Sequence, residues 1–327
     1  MRYGYYPGCS LEKNAIAYHQ SALAAIQPFD VELVEIDDWN CCGATEYIAI
    51  NLLGAYSLVA RNLALAAQQA ESWGVQNGKH QVVAPCSACY LNLGKAETYL
   101  GETPKLLEKV NIALAEGGLN YTPGSLMVRH LLDIVVNDIG YENIASKVVK
   151  PLKGLRIAPY YGCLIVRPGF QVSFDDTEHP TTLDKLMRTL GATVVDFPMK
   201  ANCCGGHMTQ ISKPVAMEMI YRLLKNAADH NADAIVTLCP MCQLNLDAYQ
   251  GDMNKMFNTN LNIPVLYFTQ LMGLAFGVAP EKLGLGKEFV DARPALAKIG
   301  VEIPEEPAKK KRPSKEELPM PRMPQEG

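Results

Sequence analysis

The stretch Asn40-Cys41-Cys42-Gly43 returns later in the chain as Asn202-Cys203-Cys204-Gly205. Each copy has one cysteine upstream and one C-x-x-C downstream, so the ten cysteines divide into two sets of five. The first set is Cys9, Cys41, Cys42, Cys86 and Cys89. The second set is Cys163, Cys203, Cys204, Cys239 and Cys242. The same order of cysteines in both halves indicates an internal repeat of about 150 residues.

Composition limits the classes of protein to which this chain can belong. Its 327 residues, 48% of them hydrophobic, suffice for about two domains with their own cores, so stability does not require disulfide bonds. A net charge of −4 gives no general attraction to nucleic acid or to an anionic membrane. The start lacks a signal-peptide pattern, and the most apolar stretch, 46–60, is too short for a transmembrane segment. We therefore expect a cytoplasmic protein whose clustered cysteines bind metal or carry redox chemistry.

Strand-like segments precede every cysteine group. In the first half they are 2–6, 31–36 and 81–84, and in the second half 156–161, 193–197 and 234–238. Helical patterns follow the groups, above all an Ala- and Leu-rich stretch over 45–73. Alternating strands and helices predict parallel β-α-β units, and such sheets bind ligands beyond the carboxyl ends of their strands. Each set of cysteines is therefore predicted to converge at one edge of its own sheet.

We predict an α/β protein of two repeated Rossmann-like domains, each a small, mainly parallel sheet flanked by helices. The first domain is expected to span residues 1–150, with a helical connector from about 104, and the second residues 151–280. Residues 281–327 are predicted to be a largely extended or disordered extension, because proline and charges of both signs dominate its end. Its basic block, Lys309 to Arg312, is expected to be solvated or to dock on an acidic partner.

The number five distinguishes between the kinds of site that cysteines form. A tetrahedral zinc ion or an ordinary cubane cluster takes four thiolates, and a redox dithiol takes two. A fifth cysteine in both sets favours a larger cluster with a bridging thiolate, or a cubane beside a reactive thiol. Structural zinc and a disulfide switch at Cys41 and Cys42 are alternatives, but neither accounts for all ten cysteines. Iron–sulfur ligation is therefore the favoured interpretation.

The order C…CCG…CxxC, present twice between Tyr5 and about Gly277, resembles the cysteine-rich CCG domains in the B-type subunit of heterodisulfide reductase. The resemblance implies that each set of five cysteines binds a noncubane [4Fe-4S] cluster. It also implies that the two clusters face each other and reduce a small disulfide, or run the reverse oxidation of thiols. The implied partners are two further proteins of that complex, a ferredoxin-like one of C type and a flavin-bearing one of A type. The charged tail is not associated with the methanogen enzymes, which leaves the substrate open.

Two other functions are alternatives. CCG subunits also serve as electron-transfer modules of membrane- or flavin-linked oxidoreductases, including those that reduce fumarate. Many of those chains carry a ferredoxin motif or lack one cysteine of a set, and neither feature is present here, which favours disulfide chemistry. The third function is a zinc-bound assembly scaffold.

Few other residues are site candidates. His207 follows the second doubled cysteine and is a candidate proton donor to a leaving thiolate, although a histidine that begins a helix is the more ordinary interpretation. His130 lies in an apolar run, which favours a hydrogen-bonded core histidine. Arg167 and Lys200 are candidates to attract an anionic substrate. No ferredoxin run and no G-x-G-x-x-G after the first strand is present, so electrons are expected to arrive from another protein.

Overall fold

The computed structural model describes residues 1–43, 47–76, 78–166 and 175–303, and within them it shows two four-stranded sheets. The strands are β1 (Arg2–Tyr5), β2 (Glu32–Glu35), β3 (His80–Ala84), β4 (Leu126–His130), β5 (Arg156–Tyr160), β6 (Thr193–Val194), β7 (Ala234–Thr237) and β8 (Val265–Tyr267). The first sheet has the order β2-β1-β3-β4 and the second β6-β5-β7-β8, with every neighbouring pair parallel. The predicted α/β repeat is confirmed.

Helices connect the strands and cover the sheets. Those of the first half are α1 (Cys9–Glu12), α2 (Ile16–Ile26), α3 (Tyr47–Ile50), α4 (Leu52–Gln69), α5 (Ser87–Glu102), α6 (Pro104–Ala115), α7 (Leu131–Asp133) and α8 (Tyr141–Ser146). Those of the second half are α9 (Thr182–Thr189), α10 (Met208–Ile211), α11 (Lys213–Asp229), α12 (Pro240–Ala248), α13 (Gln250–Phe257), α14 (Phe268–Ala275) and α15 (Arg293–Leu296). A π-helical stretch, Ile134–Gly140, separates α7 from α8.

The burial of each strand follows from its place in the sheet. All four residues of β7 are buried, because this central strand has helices on both faces. In β2, at the sheet edge, the outer residues Glu32 and Glu35 are exposed and the two residues between them are half-buried. The strand order reverses between β1 and β3, and again between β5 and β7. Ligands of open parallel sheets bind at such switch points, and these four strands lead into cysteine groups.

Two details of the first half differ from the sequence-based expectation. The predicted helix over 45–73 is divided into α3 and α4, because Asn51 is extended and its side chain accepts from the Gly54 N–H at 2.8 Å, which starts a new helix. The helical connector does begin at Pro104 with α6, but β4 then adds a fourth strand to the first sheet. β8 is its counterpart in the second sheet. Neither strand precedes a cysteine, so the cysteine pattern did not indicate them.

The two domains meet through α2 and α14. Ser21 Oγ and Thr269 Oγ1 are 2.6 Å apart, both fully buried. The ring of Tyr18 stacks on that of Tyr267, with centroids 4.3 Å apart. The Tyr18 hydroxyl donates to the carbonyls of Pro85 at 3.0 Å and Leu238 at 3.3 Å, which are the residues before Cys86 and Cys239. One side chain therefore ties together the C-x-x-C segments of both domains.

The C-terminal segment corrects the prediction of extended chain from residue 281. Residues up to 303 include two 3-10 turns and α15, and their apolar side chains Leu283 and Leu296 are fully buried. Leu283 packs on α14 at Gly273, where an added Cβ would come within 2.3 Å of its Cδ2. The composition that suggested disorder belongs to residues 304–327, which lie outside the described residues together with the Lys309 to Arg312 block.

The substitution Leu283→Ala should destabilise the chain by about 2–5 kcal/mol, because it leaves a cavity between the C-terminal segment and α14. Urea unfolding followed by circular dichroism measures the change. Ile112→Ala, at a side chain that is 64% exposed, is the control and should change stability by no more than about 0.5 kcal/mol. Equal effects of the two substitutions would contradict the packed segment.

Candidate functional site

The ten cysteine sulfurs form one continuous row across both domains. The Sγ atoms of Cys9 and Cys41 are 3.4 Å apart, as are those of Cys42 and Cys89. Hydrogen bonds between thiols join the remaining neighbours. The order along the row is Cys9, Cys41, Cys42, Cys89, Cys86, Cys239, Cys242, Cys204, Cys203 and Cys163. The predicted convergence within each set is confirmed, and the sets also touch each other.

The contact between the two sets lies at Cys86 and Cys239, whose thiol groups interact with each other. Both cysteines directly precede a helix, α5 and α12 respectively, and both have extended backbone conformations. The positive ends of the two helix dipoles therefore lie at the middle of the row, where they favour negative charge on sulfur.

The row is most exposed at its first-domain end. Cys9 and Cys41 are exposed, whereas Cys163 and Cys203 at the other end are only partly so. The remaining six cysteines are buried, namely Cys42, Cys86, Cys89, Cys204, Cys239 and Cys242. The row of sulfurs therefore reaches the surface of the protein at the first set.

Two glycines make room for the second cysteine of each C-x-x-C. Gly8 has φ 75° and Gly162 has φ 70°, both in the left-handed region that side chains disfavour. A Cβ on Gly8 would come within 2.9 Å of Cys89 Sγ, and one on Gly162 within 3.0 Å of Cys242 Sγ. The backbone of each domain thus approaches the sulfurs more closely than any other residue type would permit.

Polar side chains that the sequence analysis did not assign hold the doubled-cysteine loops. Tyr6 donates to the carbonyl of Asn40 at 2.7 Å, and Tyr160 donates to that of Asn202 at the same distance. Both tyrosines are fully buried, but their hydroxyls also fix the residue that precedes each doubled cysteine.

An asparagine after each C-x-x-C donates hydrogen bonds to the same loops. Asn92 Nδ2 donates to the carbonyl of Cys42 at 3.0 Å. Asn245 Nδ2 lies 3.3 Å from the Cys204 carbonyl, 3.6 Å from its Sγ and 2.8 Å from the Gly206 carbonyl. The signal for these residues was the repeated Leu-Asn-Leu after each C-x-x-C, which the sequence analysis did not connect with the site.

Hydrogen bonds along the row shift the charge states of the thiols. Donation from Cys42, and then from Cys9, lowers the pKa of Cys41 to about 2. In the second set, donation from Cys163 and then Cys204 lowers the pKa of Cys203 to about 2. Each domain therefore stabilises a thiolate, the form that binds metal, between two other sulfurs.

This arrangement fits a cluster of several metal ions better than a single ion. A tetrahedral zinc ion takes four thiolates, whereas each domain brings five cysteines together. Five sulfurs per domain, helix amino termini and glycines without Cβ atoms suit an anionic iron–sulfur cluster.

A cavity of about 370 Å³ opens beside the second set, between α5 of the first domain and α10 of the second. Its walls include all five cysteines of that set together with apolar side chains such as Ile48, Leu91 and Ile211. Lys95 is the only lysine, arginine, aspartate or glutamate among the described residues that line it. The cavity can therefore hold a small, largely apolar molecule in contact with the second set.

A second cavity, of about 140 Å³, lies beside α12, the counterpart of α5, and its opposite wall is formed by residues of α1, α2 and the turn between them. Lys287, Glu288 and Phe289 form one wall of it. The Asp247 carboxylate holds this segment by accepting from the N–H groups of Phe289 at 2.8 Å and Val290 at 3.1 Å.

The other candidates have mixed outcomes. His207 lines the larger cavity and directly precedes α10, so its position suits either predicted role. His130 is fully buried as expected, burial lowers its pKa to about 4, and its Nδ1 accepts from the Leu132 N–H at 3.0 Å, while its Nε2 has no hydrogen-bond partner in the described structure. Lys200 pairs with Asp184 at 3.1 Å. Arg167 lies outside the described residues.

Fold and site together define a duplicated α/β protein with a redox-type sulfur site at the junction of its domains. Residues 3–94 and 157–247 each match the family model of the cysteine-rich CCG domain. The chain belongs to this family, in the branch that includes the B-type subunits of heterodisulfide reductases. Membership of this family supports the conclusion that the chain is an iron–sulfur oxidoreductase subunit of a reductase-like complex. No helix in the described residues combines the length and apolarity needed to cross a membrane.

The individual relatives are described as subunits of two different kinds of enzyme. A Wolinella succinogenes protein described as an 8-methylmenaquinol:fumarate reductase membrane anchor subunit is 36% identical, over 89% of this chain and 97% of its own. The B-type subunit of the ferredoxin:CoB-CoM heterodisulfide reductase of Methanosarcina mazei is 28% identical, over 89% of this chain and 95% of its own. A solved structure of a hypothetical protein from Helicobacter pylori has a TM-score of 0.70 at 15% identity. It covers 89% of this chain, which spans about half (52%) of that structure, and it supports the fold alone.

The substitution Asn245→Ala should open the second doubled-cysteine loop. Loss of its buried hydrogen bonds costs about 1–3 kcal/mol, so alkylation of Cys204 in the metal-free chain should accelerate about tenfold. Mass spectrometry of the modified thiols measures the rate. Asn254→Ala removes comparable bonds at α13, far from the cysteines in sequence, and should leave the Cys204 rate unchanged. No acceleration in Asn245→Ala would contradict this role.

Proposed function

We propose that this chain carries two [4Fe-4S] clusters, one on each set of five cysteines, and moves electrons between a partner protein and a small substrate. The observation that supports this most strongly is the row of ten sulfurs, which crosses the domain interface at Cys86 and Cys239. Clusters on adjacent segments of this row would be close enough for rapid electron exchange. The family resemblance favours the noncubane form for both clusters.

The exposed end of the row is the proposed docking site of the partner. Electron tunnelling falls steeply with distance, so a donor must approach where sulfur reaches the surface, and Cys9 and Cys41 do so. A ferredoxin-like protein of C type, supplied with electrons by a flavin-bearing protein of A type, fits this role. The larger cavity lies beside the second set, so the partner would dock near the first cluster and the substrate would bind near the second.

Reduction of a small disulfide is the first candidate reaction. It consumes two electrons and two protons and yields two thiols, and the bound clusters would supply the electrons singly. His207 lines the cavity and is a candidate proton donor to a leaving thiolate, while Lys95 would attract an acidic group of the substrate. The apolar walls would exclude bulk water from the reacting sulfurs. The heterodisulfide reductase relatives support this candidate.

Electron transfer with a quinol is the second candidate, and two observations favour it. The 36% identical relative is described as part of an 8-methylmenaquinol:fumarate reductase. The cavity walls are mostly apolar, and two of the helices that contribute to them, α3 and α10, carry the exposed side chains Ile50 and Ile211, 81% and 67% accessible. A quinol would give up two electrons and two protons at the second cluster. The exposed apolar side chains would face the lipid that carries it.

The cluster count tests the proposal as a whole. Anaerobically purified protein should contain about eight irons per chain, four for each cluster, together with acid-labile sulfide. Cys42→Ala and Cys204→Ala should each lower the iron content by up to half and alter the electron paramagnetic resonance of one cluster only. Stoichiometric zinc with little iron, or unchanged spectra in both variants, would contradict five-cysteine ligation.

Substrate specificity separates the two candidates. Leu91→Trp should fill part of the cavity, so turnover should fall about tenfold or more with whichever substrate is native, while iron content stays unchanged. Turnover is measured with reduced viologen and a panel of small disulfides, and with a naphthoquinol in vesicles and an artificial acceptor. Activity confined to disulfides supports the first candidate, and activity confined to the quinol supports the second. Full activity of Leu91→Trp would exclude this cavity as the substrate site.

A further inference from the structure

Three buried polar atoms without partners lie at the edge where the cysteines converge. Seven buried side-chain nitrogen or oxygen atoms in the described part of the chain have no hydrogen-bond partner. Three of the seven belong to His130, Thr237 and Tyr267, which are the last residues of β4, β7 and β8. A buried polar atom without a partner costs about 1–3 kcal/mol. Their common position indicates an acceptor that is not part of the polypeptide.

The ring of His130 has a fixed orientation and a defined tautomer. Its Nδ1 accepts from the Leu132 N–H at 3.0 Å, so the ring proton is on Nε2. The carbonyls of Pro85 and Leu238 lie near the ring, but neither meets Nε2 with hydrogen-bond geometry, and both already accept from Tyr18. These carbonyls belong to the residues before Cys86 and Cys239. The Nε2–H is therefore an unused donor at the junction of the two sets.

Tyr267 occupies the position in the second domain that His130 occupies in the first. Its ring stacks on Tyr18, and its side chain is held among buried residues at 3% exposure. Burial first, and then the charges of Cys239 and Cys86, raise the pKa of Tyr267 well above its usual value. The hydroxyl thus keeps its proton and lies within electrostatic reach of sulfurs from both sets.

We propose that the Tyr267 hydroxyl and the His130 Nε2–H donate hydrogen bonds to sulfur atoms of the cluster on the second set, and so raise its reduction potential. The ring of Tyr267 stacks on Tyr18, whose hydroxyl donates to the carbonyls that directly precede Cys86 and Cys239, and the His130 ring lies beside the same two carbonyls. A reduced cluster carries more negative charge than an oxidised one, so hydrogen-bond donors to its sulfurs favour reduction. This inference rests on the proposed function. It assigns to His130 and Tyr267 the role of setting the reduction potential of the cluster beside the cavity.

Two substitutions remove the donors with little other change. Tyr267→Phe removes only the hydroxyl, and His130→Asn keeps a side-chain acceptor for the Leu132 N–H but lacks Nε2. The full chain, with its iron content measured first, is titrated electrochemically while electron paramagnetic resonance reports each cluster. Each variant should lower one midpoint potential, seen as a several-fold smaller reduced fraction of that cluster at a fixed potential. The other midpoint should not move, and the double variant should show the larger shift.

Tyr141→Phe is the matched control, because the Tyr141 hydroxyl donates to the Thr182 carbonyl at 3.1 Å and does not interact with cysteines. It should leave both midpoints unchanged. Iron-replete Tyr267→Phe with wild-type midpoints, or an equal shift in the control, would overturn the inference while leaving the two clusters established. A wild-type chain without iron would instead refute the proposed function, and the inference with it. If His130→Asn does not fold, Tyr267→Phe decides alone.

Discussion

The contact between the thiols of Cys86 and Cys239 joins the two halves of the site. Each of these cysteines follows an inner strand of its own sheet and precedes a helix, so the binding edges of the two sheets meet at this point. Tyr18 holds the contact by donating to the carbonyls before both cysteines. Without this junction the chain would have two separate sulfur sites; with it, ten sulfurs form one row.

A duplicated sequence has produced a site whose two ends differ. The repeat gives both domains the same strand order, the same glycines beside sulfur and the same tyrosine at the doubled cysteine. Lys287, Glu288 and Phe289 of the C-terminal segment line the smaller cavity, beside α12, while the larger cavity lies beside α5. Sulfur is more exposed at the first set than at the second. Under the proposed function, this asymmetry would separate the docking site of the partner from the substrate cavity.

The fold could be predicted from the sequence because the cysteine groups and the strand-like segments occur next to each other along the chain. Each predicted strand precedes a cysteine group, and rules for parallel sheets place those groups at one edge. The strands without cysteines, β4 and β8, lacked this marker and were missed. So were the residues that act through hydrogen bonds on the loops, such as Asn245, because the repeated Leu-Asn-Leu marks an equivalent position in both domains but not the bonds that its side chain makes. The burial of Leu283 was missed because the charged tail dominated the composition of the same segment.

Anomalous diffraction at the iron edge, on anaerobically grown crystals of the full chain, tests the central claim most directly. We expect two compact groups of iron atoms, one among the sulfurs of each five-cysteine set, with their nearest edges at Cys86 and Cys239. Iron in one domain only, a single ion in either set, or two groups separated by the width of a domain would contradict it.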